Sequence, residues 1–279
     1  MLIATVAENR EPFLRSVLDL FRSLRTLGGT LECAKATTYF IGSASPDAVR
    51  TLAELHVSVR IVDPLDVRCP HANKIIMLNY DEDYRYLVAL DNDIAVVRDF
   101  SRYIEGTALR ARPAGHSPLT IEQWESVFTE LEFAMPPERL AMCTDLSKTI
   151  PYFNSGVLIV PRAIVGQVRN TWERSLRRLL DRLPCLGEIA QHAYYSDQLA
   201  LAIAVASGQI PCSPLPVEMN RMVHYDVHPS LLGAEPYLLH HHYRYLRDGW
   251  LAPSPFADVN PWVDVVNRAV NDAASGHLI

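Results

Sequence analysis

Asp91-Asn92-Asp93 sets two carboxylates two residues apart between the apolar runs Tyr86 to Leu90 and Ile94 to Val97. A carboxylate withdrawn from water is costly unless it is compensated, and a divalent cation is a compact way to compensate two at once. On an extended backbone residues i and i+2 face the same side, so Asp91 and Asp93 are expected to share one hard metal ion. Spacing alone decides little, because an Asp-x-Asp triplet arises by chance about once in a chain of this size. Asp81-Glu82-Asp83 is a second copy, set among Asn79, Tyr80, Tyr84 and Arg85, and it reads as a solvated turn.

The elements that must position Asp91 and Asp93 alternate. Leu2 to Ala7 reads as a strand, and from Pro12 the residues Leu14, Val17, Leu18, Phe21 and Leu24 recur at helical spacing until Gly28-Gly29. Thr37 to Ile41 is a second strand, Ser45-Pro46-Asp47 opens a helix, and Val57 to Val62 is a third strand. Lys74 to Leu78 forms a helical turn before the fourth strand, Tyr86 to Leu90. The fold class is therefore α/β, with a mainly parallel sheet flanked by helices. Ligands of such sheets bind beyond the carboxyl ends of the strands, which places Thr5, Ala7 and Asp91 along one crevice.

Composition narrows the class. At 279 residues and 31.4 kDa the chain suits one large domain with insertions. A net charge of −6 gives no electrostatic reason to expect a nucleic-acid partner. The five cysteines are scattered, without a CxxC pair, which favours a reducing compartment. The opening MLIATVAENR lacks the features of a signal peptide, and no run reaches the length of a membrane span. A cytoplasmic protein without a transmembrane segment is expected.

Three families place Asp-x-Asp after a strand. Haloacid-dehalogenase-like phosphatases carry it after their first strand, whereas three strands come first here, and Ala95 stands where they place Thr or Val. Sugar-nucleotide pyrophosphorylases have a GxGTRLxPxTxxxPK loop, absent from Ala7-Glu8-Asn9-Arg10-Glu11-Pro12. The third fits several segments at once. KIIMLNYDEDYRYLVALDNDIAVVRD, Lys74 to Asp99, resembles the Lys, strand and Asp-x-Asp block of GT-A-fold glycosyltransferases, above all the retaining family eight that includes glycogenin and lipopolysaccharide galactosyl- and glucosyltransferases. Phe153-Asn154-Ser155-Gly156-Val157 is similar to that family's FNSGV segment, Ser196-Asp197-Gln198-Leu199 to its Asp-Gln helix start, Leu215-Pro216 to Asn220 to its Leu-Pro-then-Asn stretch, and Tyr237-Leu238-Leu239-His240 to its strand ending in a ligand histidine.

The resemblance implies a GT-A fold and a metal-dependent hexosyltransferase. It would use a nucleotide diphosphate sugar, a UDP-sugar by preference, with retention of configuration. Asp91, Asp93 and His240 would hold Mn²⁺ or Mg²⁺, with His242 as second choice because strand alternation puts it on the same face as His240. Mixed oxygen and imidazole ligation suits Mn²⁺ better. Asn92 would contact the donor ribose, Lys74 a phosphate or carboxyl neighbour, and Asn154, Ser155 and Gly156 the sugar. Asp197 and Gln198 are the catalytic candidates, although Asp197 also has a reading as helix N-cap. Asn9 would lie in the donor loop, where the family often has an aromatic residue. After the ligand histidine the family has an HxxGxxKPW-like pattern; here HHHYRYLRDGW leaves Arg244 or Arg247 to supply charge to the diphosphate.

Residues 1–99 form the nucleotide-sugar-binding half on this reading, and 100–250 the acceptor-side half. Its irregular insertion 100–150 holds Trp124, Phe128 and Phe133, with aromatic faces suited to sugars. Residues 251–279 form a helical tail that covers the core. The acceptor, whether sugar, polysaccharide, protein or small natural product, is unreadable, and a homo-oligomer is left open. The alternatives are a haloacid-dehalogenase-like phosphatase and an inactive nucleotide-sugar-binding protein.

Overall fold

The computed structural model describes residues 1–79, 83–207, 210–232, 235–247 and 249–274. Asp81 and Glu82 of the second triplet lie outside the described residues. Strands β1 (Leu2–Glu8), β2 (Lys35–Ile41), β3 (Val57–Val62) and β4 (Tyr86–Leu90) are parallel, linked by α1 (Phe13–Leu27), α2 (Pro46–Glu54) and a 3₁₀ segment, Pro70–Met77. Ser45 caps α2 by accepting from Ala48 N at 3.1 Å, and Pro46 stands in the first turn, where it has no amide to waste.

Three more strands complete a seven-stranded sheet: β6 (Leu109–Pro113), β9 (Phe153–Pro161) and β10 (Cys212–Pro214), in the order β10-β6-β9-β4-β1-β2-β3. Only β9 runs antiparallel to its neighbours, β4 and β6. Leu87, Val88, Ala89 and Leu90 are fully buried, as a central strand covered on both faces requires. One cover packs Trp172 and Leu176 of α4 (Val165–Arg182) and Leu199 and Ile203 of α5 (Ser196–Ala206); the other packs Leu20, Phe21 and Leu24 of α1 and Leu52 of α2.

A smaller sheet carries the functional strand ends. β5 (Ile94–Val96) pairs antiparallel with β12 (Leu238–His240), which also pairs with β11 (Arg221–Met222). Ser23, inside α1, donates to Leu20 O and accepts from Val96 N, and so ties β5 to the helix. Val263, Val266 and Val270 of α6 (Asn260–Ala274) are buried against Ala95 and Leu239.

Phe153 to Gly156 lies inside β9, whose nine residues are all buried. Two expectations need correction. The 100–150 segment is not wholly irregular, because β6 enters the main sheet and α3 (Ile121–Glu130) starts with a capping box of Thr120 and Gln123. Nor do its aromatics await a sugar: Trp124 and Phe128 are buried, Trp124 Nε1 donates to Ser117 Oγ at 3.0 Å, and Phe133 lies under the Arg178 guanidinium. A short hairpin of β7 (Leu140–Ala141) and β8 (Lys148–Thr149) completes the segment.

Candidate metal centre and donor site

The two aspartates meet through a turn and not through the pleat of a strand. β4 ends at Leu90, the amide of Ile94 donates to Asp91 O at 3.2 Å, and the reversal feeds β5, so the extended-backbone expectation is replaced by a tight corner. The corner is held from both sides: Asp91 N donates to Gly156 O at 2.8 Å, and His241 N donates to Asp93 O at 3.0 Å. Register does the rest, since His240 pairs with Ile94, next to Asp93.

One oxygen or nitrogen from each of Asp91, Asp93 and His240 lies within 4.8 Å of the others. His240 Nε2 faces Asp93 Oδ1 at 3.2 Å. The ring's other nitrogen is fixed by a relay that begins at the backbone. Gly156 N donates to Asn154 Oδ1 at 2.9 Å, and Asn220 Nδ2 donates to the same oxygen at 2.8 Å. That leaves Asn220 Oδ1 toward His240 Nδ1 at 3.0 Å. Since Asn220 Oδ1 only accepts, Nδ1 carries the proton and the Nε2 lone pair is aimed at a carboxylate oxygen. Two acceptors so opposed are reconciled by a cation. Gly156 makes room for it: a Cβ there would stand 2.8 Å from His240 Cε1, 2.9 Å from Asn154 Oδ1 and 3.0 Å from Asp91 Oδ2. The donor set and the space fit a divalent ion.

Electrostatics agree. Burial pushes the Asp91 carboxyl above its ordinary value, against the pull of Lys74. Burial acts the same way on Asp93, but positive charge on its His240 side outweighs burial and holds that carboxyl well below the usual range, as a cation in that place would also do. His242, the alternative ligand, stacks on His240 with ring centroids 4.1 Å apart, and burial pulls its pKa down to about 3. Its side is the expected one, but it lies beyond the strand with φ 50°.

Lys74 and Asp197 form the wall beside the metal ligands. Lys74 Nζ lies 3.0 Å from Asp91 Oδ2, 3.0 Å from Ser155 Oγ and 3.4 Å from Asp197 Oδ2. Burial alone would lower the Lys74 pKa, yet Asp91 and Asp197 raise it, so the ammonium stays charged. Ser155 Oγ donates to Asp197 Oδ2 at 3.1 Å. Asp197 is therefore no cap: Tyr195 holds that position, Asp197 lies in the first turn of α5, and its carbonyl accepts from Trp172 Nε1 at 2.8 Å.

Two cavities flank this group. One of about 480 Å³ is lined by Asp93, Asn154, Asp197, Gln198, His240 and His242. The other, of about 330 Å³, is lined by Ala7, Arg10 and Asn92. Phe13, His71, Lys74, Asp91 and Tyr243 line both. Thr5, Asn9 and Arg244 line neither. Thr5 is buried within β1, and the Asn9 amide donates to Ser43 Oγ and accepts from Ser45 N, which braces the loop. Sequence reasoning missed Asn220, though its Leu-Pro-then-Asn signal was visible, and it missed Phe13 and Tyr243. Phe13, with Arg10 stacked 4.6 Å over its ring, places an aromatic in the wall of both cavities.

The profile of the Rhodobacterales glycosyltransferase domain matches residues 21–209. The chain belongs to this family. Among solved structures it is similar to the glycosyltransferase GlyE of Streptococcus pneumoniae TIGR4, with 14% identity and a TM-score of 0.57 over 99% of this chain and 64% of that one. It is also similar to the galactosyltransferase LgtC in complex with donor and acceptor sugar analogs, with 13% identity and a TM-score of 0.53 over 96% of each chain. The chain thus spans just under two thirds of the GlyE structure. These likenesses bear out the GT-A-like fold expected from the sequence. No curated protein matches the chain in sequence.

Proposed function

We propose that this family member is a metal-dependent glycosyltransferase that moves a hexose from a nucleotide diphosphate sugar, with UDP the preferred carrier, and retains configuration. The observation that carries the reading is the Gly156–Asn154–Asn220–His240 relay, which aims one imidazole lone pair at the Asp91–Asp93 corner between two connected cavities. A divalent ion held there, Mn²⁺ before Mg²⁺, would supply positive charge where negative charge develops on the leaving diphosphate. The smaller cavity would take the nucleoside, with the base near Phe13 and Arg10. The larger would take the transferred sugar and the acceptor.

The chain's own groups divide the remaining work. Lys74 Nζ bridges Asp91 and Asp197 and holds the two carboxyl groups at fixed separation. Ser155 orients the Asp197 carboxylate through its hydroxyl. Asp197 is suited to stabilise the cationic character that builds on the sugar ring as the glycosyl bond breaks, with Gln198 beside it on the reacting side. Asn154 is held rigidly enough to orient a sugar hydroxyl.

Purified protein with Mn²⁺ and a panel of UDP- and GDP-sugars should release the nucleoside diphosphate slowly by donor hydrolysis. Asp93→Ala should lose metal-dependent nucleotide binding in calorimetry while it remains folded. Neither binding nor turnover by the unsubstituted protein with any of these donors would overturn the reading.

A further inference from the structure

The chain that leaves His240 turns back over the metal ligands through two successive residues in the left-handed region, His242 with φ 50° and Tyr243 with φ 56°. Bulky side chains rarely adopt that conformation, and they keep it only where their surroundings over-determine it. Counted from His240, position 243 is where the HxxGxxKPW-like pattern has its glycine, the residue for which such a φ is ordinary. Here the position carries a phenol instead.

The residue is held through its side chain and its backbone. Its hydroxyl donates to Asn92 Oδ1 at 2.5 Å, its ring meets Phe13 edge-on at 4.9 Å, and its carbonyl accepts from Tyr245 N at 3.1 Å. Tyr243 therefore stands on the boundary between the two cavities, and its hydroxyl occupies the acceptor atom of Asn92, a buried side chain that lines the nucleoside cavity. A buried amide oxygen needs a hydrogen donor, and leaving it without one is costly. A ribose carries two hydroxyls able to replace the phenol. On the donor-binding reading above, we propose that the Tyr243 hydroxyl holds the place of a ribose hydroxyl on Asn92 Oδ1, so that nucleotide binding exchanges one for the other. Tyr243 thereby sets donor affinity and makes it depend on a free ribose hydroxyl.

The exchange predicts a specific pattern of affinities. Tyr243→Phe keeps the ring against Phe13 and removes the competing hydroxyl, so a ribonucleotide no longer has to displace a bond. Binding is measured by calorimetry with Mn²⁺, using whichever of uridine or guanosine diphosphate binds better, and its 2′,3′-dideoxy analogue. The ribonucleotide should bind Tyr243→Phe roughly 3- to 10-fold more tightly than the unsubstituted protein, the value of about one net hydrogen bond. The dideoxy analogue should bind both proteins equally. In an Asn92→Ala background the gain from Tyr243→Phe should vanish. Unchanged or weaker ribonucleotide binding in Tyr243→Phe would overturn the exchange, as would equal tightening for both ligands, which would make Tyr243 a steric plug. If the unsubstituted protein binds neither diphosphate, the donor-binding reading itself falls, and the exchange with it.

Discussion

Asn220 touches none of the carboxylates, yet it decides what His240 can do. Its amide hangs between Asn154 Oδ1 and His240 Nδ1, and the polarity of that chain is set by a backbone N–H that can only donate. Replacing it with alanine frees the ring to rotate and to change tautomer without removing a ligand. Such supporting partners typically contribute 10- to 100-fold in metal affinity. Asn220→Ala should weaken Mn²⁺ binding by roughly that factor in a competition titration with a chelator, with far-ultraviolet circular dichroism unchanged; equal affinity would remove the relay from the site.

His241, next in the chain, works in the opposite sense. It points away into a buried space against the Tyr245 ring, with neither nitrogen hydrogen-bonded, and burial lowers its pKa from 6.5 to about 4. A histidine with a lower pKa folded than unfolded stabilises the fold above about 6.5 and loses that contribution as pH falls toward about 4. From pH 7 to pH 5 the loss attributable to His241 is about 2 kcal/mol. Urea unfolding of the metal-free protein at the two pH values should show it, and His241→Phe should shrink the difference by about that amount, the lowered His242 contributing to what remains.

At the scale of elements, the return loop after His240 is clasped to α1. Tyr245 OH lies 3.1 Å from Ser16 Oγ, and the Arg15 guanidinium lies 5.0 Å over the Tyr245 ring. Gly249, with φ 89°, packs so close that a Cβ would meet Arg15 Nη1 at 1.9 Å. Gly249→Ala should therefore cost about 1 kcal/mol or more in urea unfolding through the backbone alone. Because the clasp anchors the loop that bears Tyr243, it should also weaken nucleotide binding; a variant as stable as the unsubstituted protein would show the loop to be unstrained there. Such contacts explain where legibility in the sequence stopped. β1 to β4 could be read because each is a short run rich in apolar and β-branched residues that alternates with a helical stretch. β9 could not be read at its start, because Asn154, Ser155 and Gly156 look like a turn until β6 pairs with Asn154 and the Asp91 corner bonds to Gly156 O. The Asp-x-Asp pair was legible as a metal site but not as a corner, because spacing two suits either shape. Asn9 and Thr5 were assigned to the donor by position in the chain, whereas their side chains face structural partners or the core.

At the scale of the whole molecule, the site belongs to no single segment. Lys74 comes from a 3₁₀ turn, Asp91 and Asp93 from a corner of the main sheet, Ser155 from the antiparallel strand, Asp197 from α5, and His240 from the smaller sheet. These parts sit at the carboxyl end of the parallel strands, where an open α/β sheet leaves its crevice. Unfolding any layer disperses the ligands, so metal and nucleotide bind the native state and stabilise it by mass action. At 100 times its dissociation constant a ligand adds about 2.7 kcal/mol, and for a domain of this size each kcal/mol moves the midpoint by roughly 2 °C. Mn²⁺ with a saturating nucleoside diphosphate should then raise the melting midpoint by about 5 °C in a thermal scan. The nucleotide in chelator should give much less, since its phosphates would face Asp91 and Asp93 without the intervening cation. Asp93→Ala should abolish the metal-dependent part of the rise, whereas a shift that survives both chelator and Asp93→Ala would place nucleotide binding elsewhere on the molecule.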